Sequence, residues 1–274
     1  MFNVNEEKCI GCSQCIKDCP VNDILLTDNK KAQIKNESCI ACGHCIAICP
    51  KEAVSTDSFN MEEVQSFEAD VVGLDPTRLL NTIRFRRTTR RFTEEPIEQS
   101  VLKNIIEAGR FTQTGTNSQD VSYIVLSDTL SDVKDTIYEI LKKKGEYLLA
   151  NLTPETKHLE AYANLWVHMY DAYHADKKGH DRLFFNAPAV ILVTANSPVN
   201  GALATGNMDL MANAYGLGTC ICGFALVALN DQPELLKQIG VEEGKSIVTC
   251  LVIGHPNVTY KRTVPRKQAD VKWK

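Results

Sequence analysis

Two runs decide what the first part of this chain is: Cys9-Ile-Gly-Cys12-Ser-Gln-Cys15-Ile-Lys-Asp-Cys19-Pro20 and Cys39-Ile-Ala-Cys42-Gly-His-Cys45-Ile-Ala-Ile-Cys49-Pro50. Both read C-x2-C-x2-C-x3-C-P. Three thiolates at this spacing wrap three irons of a cubane, and the fourth reaches away to ligate a second cubane. The spacing therefore predicts two 4Fe–4S clusters. One is held by Cys9, Cys12, Cys15 and Cys49, the other by Cys39, Cys42, Cys45 and Cys19. Structural zinc would use CxxC pairs rather than two four-cysteine runs each ending in Cys-Pro. His44 lies inside the second run, where cysteines fill every ligand position, and is expected to be an ordinary exposed or hydrogen-bonded histidine.

The rest of the composition narrows the setting. Of eleven cysteines, eight fall between Cys9 and Cys49. The opening MFNVNEEKC has neither the basic nor the apolar region of a signal peptide, so a cytoplasmic location is expected, where thiols ligate metal rather than form disulfides. A net charge of −4 argues against a nucleic-acid partner. No apolar run approaches the ~18–20 residues that span a bilayer, so no membrane association is expected. The 274 residues leave room for one sizeable domain and a small one.

The boundaries follow from texture. Residues 1–56 form the cluster-binding domain. The polar stretch 57–75 reads as a linker. Asp75-Pro76 has the form of a helix start, an N-cap followed by proline at the first helical position, and opens a domain over 76–274. Within it, helical spacing marks Pro96–Arg110, 130–148, 155–178 and the small-residue stretch Ala202–Tyr215. Strands are expected at Val121–Leu126, Ala189–Thr194 and within Lys245–Gly254. Helices wrapped around a small buried sheet give an α+β or α/β sandwich.

Four segments of this domain carry binding chemistry. Arg86-Arg87-Thr88-Thr89-Arg90-Arg91-Phe92 concentrates basic and hydroxyl groups suited to a phosphate. Thr112–Gln119 is a polar loop whose amides, at Asn117 and Gln119, offer donor and acceptor together. Tyr215-Gly216-Leu217-Gly218-Thr219-Cys220-Ile221-Cys222-Gly223 allows close backbone approach, yet lacks the spacing of a dinucleotide fingerprint. Gly254-His255-Pro256 precedes a second basic cluster, Tyr260–Lys267. Cys220, Cys222 and Cys250 lack ligand partners and are expected to be buried small apolar residues.

Residues 1–56 resemble the bacterial-type dicluster ferredoxins, which implies short strands and helical turns in pseudo-two-fold arrangement and low-potential one-electron transfer. Residues 77–274 resemble the nitroreductase superfamily of FMN enzymes. That resemblance rests on Arg86, Thr88, Arg90 and Phe92 in R-x-[ST]-x-[RK]-x-F, on Asn117 and Gln119 in N-x-Q, and on Gly216–Thr219 as GLGT. Gly254-His255-Pro256 departs from the family turn at its tyrosine.

The resemblance implies a homodimer with FMN at the subunit interface. Arg86, Arg87, Thr88, Arg90 and a C-terminal basic pair would hold its phosphate and ribityl chain. The pair is Arg262 and Arg266, with Lys261 or Lys267 as substitutes. Asn117 and Gln119, with Thr114, Gly115 and Thr116, would reach the flavin from the partner subunit. Backbone at Gly216, Leu217 and Gly218 would lie by the ring. No side chain is expected to be universally catalytic, because the flavin supplies the chemistry. The expected function is an FMN-dependent oxidoreductase. It is fed through its clusters by ferredoxin or NAD(P)H and reduces a small acceptor such as a nitroaromatic or quinone. Another flavin reaction, such as dehalogenation or flavin fragmentation, and a non-enzymatic electron-transfer module are the alternatives. The aromatic-rich region 130–185 is expected to shape the pocket or to pack core and interface.

Overall fold

The computed structural model describes residues 1–274, the Asp70 side chain excepted. The chain forms two compact units, Met1–Leu74 together with Thr114–Ser118, and Asp75–Gln113 together with Gln119–Lys274.

The N-terminal unit is built from two short antiparallel ribbons. β1 (Phe2–Val4) pairs with β4 (Val54–Thr56), and β2 (Ile24–Leu26) pairs with β3 (Ala32–Ile34). Each cysteine run ends in a short helix, α1 (Gln14–Asp18) and α2 (His44–Ala47). Both begin on a left-handed residue, Ser13 and Gly43. One small cluster buries Cys9, Ile24, Ala32 and Ala53, with Val4, Ile16, Ile34, Cys15, Cys19, Cys45 and Cys49 around it, and Phe2 and Val54 are buried on the β1–β4 ribbon. So small an apolar core depends on bound metal for its stability. The stretch that reads as linker in the sequence carries a 3-10 turn (Met61–Glu63), capped by the Asn60 side chain, and α3 (Ala69–Val72); all but its last residue falls within this unit.

The larger unit starts where Asp75-Pro76 places it. α4 spans Pro76–Phe85, and Asp75 Oδ1 accepts the Arg78 N–H at 2.6 Å. α5 (Gln99–Arg110), β5 (Ser122–Leu126), α6 (Leu130–Ala150), α7 (Glu160–Ala175), β6 (Ala189–Ala195), α8 (Pro198–Ala214), β7 (Gly218–Ile221), α9 (Gly223–Leu229), α10 (Pro233–Gln238) and β8 (Ser246–Gly254) follow. The four strands form one antiparallel sheet in the order β5-β6-β8-β7. β6 and β8 are central and buried on both faces, so their apolar runs are continuous rather than alternating. Successive side chains feed two cores. Val190, Leu192, Cys250 and Val252 pack against α6, α7 and α9. Ala189, Ile191, Val193, Leu251 and Ile253 pack against α5 and α8. Three layers, helix–sheet–helix, result.

Most of the aromatic insert is internal. Tyr138 and Tyr173 stack at 4.0 Å and are fully buried, as is Phe184. Burial pushes the Tyr138 hydroxyl up, so it remains a neutral donor and acceptor. It takes the Arg182 N–H at 2.9 Å and donates to the His180 carbonyl at 3.4 Å. Asp181 anchors the same loop: its fully buried carboxylate accepts the N–H groups of Leu183, Phe184 and Asn186 and an ion pair from Lys134 at 2.7 Å. Removing one partner of such a pair costs about 3–5 kcal/mol, because the other charge is left buried. Asp181→Ala should therefore lower unfolding stability by about that amount, read from urea unfolding monitored by tryptophan fluorescence. A loss below about 1 kcal/mol would mean that the loop needs no anchor.

Candidate functional site

In the N-terminal unit the eight cysteines surround two separate spaces. Cys9, Cys12 and Cys15 line one with Cys49; Cys39, Cys42 and Cys45 line the other with Cys19. Each fourth cysteine thus faces the triplet of the other run. Backbone amides already support three sulfurs: Ala32 N donates to Cys9 Sγ at 3.4 Å, Asp23 N to Cys19 Sγ at 3.4 Å and Ala53 N to Cys49 Sγ at 3.2 Å. Burial, then the Cys42 thiol beside it, pushes Cys45 up to about 11. A thiol so placed ionises when a metal cation supplies the compensating charge. The donor set fits two cubanes. His44 lies at the rim of the second space, with Nδ1 3.1 Å from Asp18 Oδ2 at the surface.

In the larger unit, Arg86–Phe92 leaves α4 and runs beside the edge strand β7. Thr88 bridges Thr219, Thr89 N donates to the Thr219 carbonyl at 2.8 Å, and Phe92 bridges Pro256. Buried Phe92 packs on Gly254, where a Cβ would meet its ring at 3.0 Å. This fastening explains two sequence signals at once, the phenylalanine and the glycine of the Gly-His-Pro turn.

The arginines then diverge. Arg84, Arg86 and Arg87 meet Arg266 around a cavity of about 680 Å³, walled also by Asn81, Phe85, Thr263 and Val264. Arg86 Nη1 pairs with Asp209 Oδ2 of α8 at 3.1 Å, and Asp209 also accepts the Thr219 hydroxyl. Arg87 Nη2 donates to the Arg84 carbonyl, while its Nε is buried without a partner. A wall carrying four guanidinium groups suits an anionic group such as a phosphate. Arg262 is exposed and lies outside this lining. Arg90 instead lines a second cavity of about 190 Å³, with Arg182, Leu183, Phe185 and Cys220–Phe224.

The side chains and spaces of the glycine-rich stretch serve the fold. Gly216, at φ 73°, ends α8; its N–H and that of Leu217 return to the Asn213 and Ala212 carbonyls. Leu217 is buried in the core on the α5–α8 side. Gly218 gives room to Thr89, whose side chain would lie 2.5 Å from an added Cβ. The open wall begins two residues later, at Cys220. Cys220, Cys222 and Cys250 are all buried. Thr114, Gly115, Thr116 and Asn117 belong to the N-terminal unit and Gln119 to the larger one. Sequence reading missed Asp209, Arg182 and Phe224, because only the folded chain brings them to these walls.

Two family models match the chain: "Nitroreductase family" over residues 83–255, and "4Fe-4S dicluster domain" over residues 2–64. No curated protein matches it. Among solved structures, an FMN-bound nitroreductase from Bacteroides fragilis NCTC 9343 is 21% identical, with a TM-score of 0.53, over 71% of this chain and 98% of that one. An FMN-dependent nitroreductase from Clostridium difficile R20291 is 18% identical, with a TM-score of 0.54, over 73% and 100%. An FMN-bound nitroreductase from Desulfitobacterium hafniense DCB-2 is 23% identical, with a TM-score of 0.51, over 71% and 98%. At these identities the likeness is one of fold.

The crossing of the cysteine sets is directly testable. The anaerobically purified protein should carry about eight irons per chain. In the reduced protein, Cys49→Ser should alter the same EPR signal as Cys12→Ser, and Cys19→Ser the same signal as Cys42→Ser. Cys49→Ser grouping with Cys45→Ser would show that each run closes on itself.

Proposed function

The chain belongs to the nitroreductase family, and we propose that it is an FMN-dependent oxidoreductase that takes electrons through two 4Fe–4S clusters and reduces a small organic acceptor of nitroaromatic or quinone type. The observation that carries this reading is the cavity walled by Arg84, Arg86, Arg87 and Arg266, in a chain that also rings two spaces with eight thiols.

Arg86, Arg87 and Arg266 would hold the phosphate. Guanidinium forks match its oxygens two at a time, and Asp209 already fixes the orientation of Arg86. Thr88 stands beside them on the same extended segment. About 680 Å³ is within the usual range for a cofactor site. Arg90 and the wall Cys220–Phe224 suit the flat, polar-edged end of the cofactor: largely apolar side chains exclude water there, and one guanidinium can face the electron-rich edge. When bound, FMN takes up electrons singly and gives them up in pairs, which is the conversion that one-electron clusters and a two-electron acceptor require.

The electron path rests on economy. The chain shows no dinucleotide fingerprint and devotes its N-terminal unit to metal. Covalent attachment raises the effective concentration of the donor clusters at the flavin. A low-potential protein such as reduced ferredoxin is the fitting source.

Turnover of nitroaromatics or quinones with reduced ferredoxin tests this reading. Replacing Cys12 and Cys42 with alanine should abolish that turnover, yet leave FMN bound and reducible by dithionite. Retention of the rate by the double variant would contradict the path. So would a flavin that NADH reduces equally well without clusters and that ferredoxin never reduces.

A further inference from the structure

The loop between the ligands Cys39 and Cys42 differs from its counterpart between Cys9 and Cys12. Each holds a residue in the left-handed region at the third position. In the first run it is glycine, Gly11 at φ 66°; in the second it is Ala41 at φ 53°. An alanine there is strained unless its surroundings hold it. What holds it is Asn117, whose Nδ2 donates to the carbonyls of Ile40 at 3.1 Å and Ala41 at 2.9 Å. The segment presenting Asn117 is itself strained. Thr116, Asn117 and Gln119 all have positive φ, at 50°, 54° and 46°, and a β-branched threonine rarely adopts such a value. The first loop has no such clamp. Its Cys9 carbonyl takes Lys31 Nζ at 2.5 Å and its Gly11 carbonyl takes Ser13 Oγ at 3.4 Å, both from within the cysteine-run region.

We propose that Asn117 is a positioning residue for the second cluster, the one on Cys19, Cys39, Cys42 and Cys45. The N–H of a planar peptide points opposite to its carbonyl. Fixing the Ile40 and Ala41 carbonyls on Asn117 therefore turns the Ala41 and Cys42 N–H groups the other way. Neither N–H has a protein acceptor among the described residues. Both flank a lining that includes Cys39, Ile40, Cys42 and Gly43. Amides donated to cluster sulfurs stabilise the more negative, reduced state and raise the potential. Asn117 thus sets the two clusters apart and makes the second the easier to reduce than its loop alone would allow. This rests on the two-cluster reading but not on the flavin or the electron path.

The test is an EPR-monitored redox titration of the full holoprotein carrying Asn117→Gly, which removes the amide and accepts the backbone angle without strain. With about eight irons retained, the midpoint of the second cluster should fall while that of the first stays put. The proposal is overturned if neither midpoint moves, if both move alike, or if the variant loses FMN with its cluster potentials intact. Should the variant lose iron from the second cluster, Ala41→Gly in the same background relieves the strained turn. Iron should then return with the potential still lowered; iron returning at the unaltered potential, or not returning, goes against the proposal.

Discussion

The fourth cysteine of each run facing the triplet of the other is the constraint on which the N-terminal unit depends. Ile24, Ala32 and Ala53 with one cysteine, and Phe2 and Val54 on the β1–β4 ribbon, make a core too small to offset the entropy of ordering some seventy residues. On the two-cluster reading, crossed thiols would tie the first run to the second through metal rather than through apolar area. Cys49 thereby brings the end of the chain segment back beside Cys9, and the pairing of β1 with β4 follows the same closure. The amides of Ala32, Asp23 and Ala53 add donors to the sulfurs that the crossing brings in.

The larger unit solves a different problem, that of gathering cations without unfolding around them. Four arginines around one cavity repel one another. The structure offsets this by pairing Arg86 with Asp209 and by lashing the arginine-bearing segment to the sheet edge through Thr88, Thr89 and Phe92. Asp209 does two jobs, since it also takes the Thr219 hydroxyl and so ties α8 to β7. A phosphate in this cavity would offset the remaining repulsion among the arginines.

What the sequence made legible was what is local. Eight cysteines lie in two short runs, and their spacing alone points to two crossed sets of four around two spaces. Asp75-Pro76 announces α4, and the unbroken apolar runs of β6 and β8 announce a sheet covered on both faces. β7 escaped because it is four residues long and sits among glycines that read as a loop. The Leu217 side chain packs in one core and the space at Gly218 takes Thr89, packing that no local pattern announces. Asp209 and Arg182 carry no local signal; their place on a wall is a property of the folded chain. Asn117 is the sharpest case. Its sequence context marks a polar loop, and nothing in it indicates an amide directed at the Ile40 and Ala41 carbonyls, over seventy residues earlier.

The central claim is that electrons enter through the clusters and leave through the flavin. Anaerobic rapid mixing of the oxidised holoprotein with reduced ferredoxin, following cluster and flavin absorbance separately, tests that order most directly. Bleaching of the clusters first, then reduction of the flavin at a rate independent of ferredoxin concentration, is the predicted result. Flavin reduction that precedes cluster bleaching, or that rises in proportion to ferredoxin while the clusters stay oxidised, would contradict it.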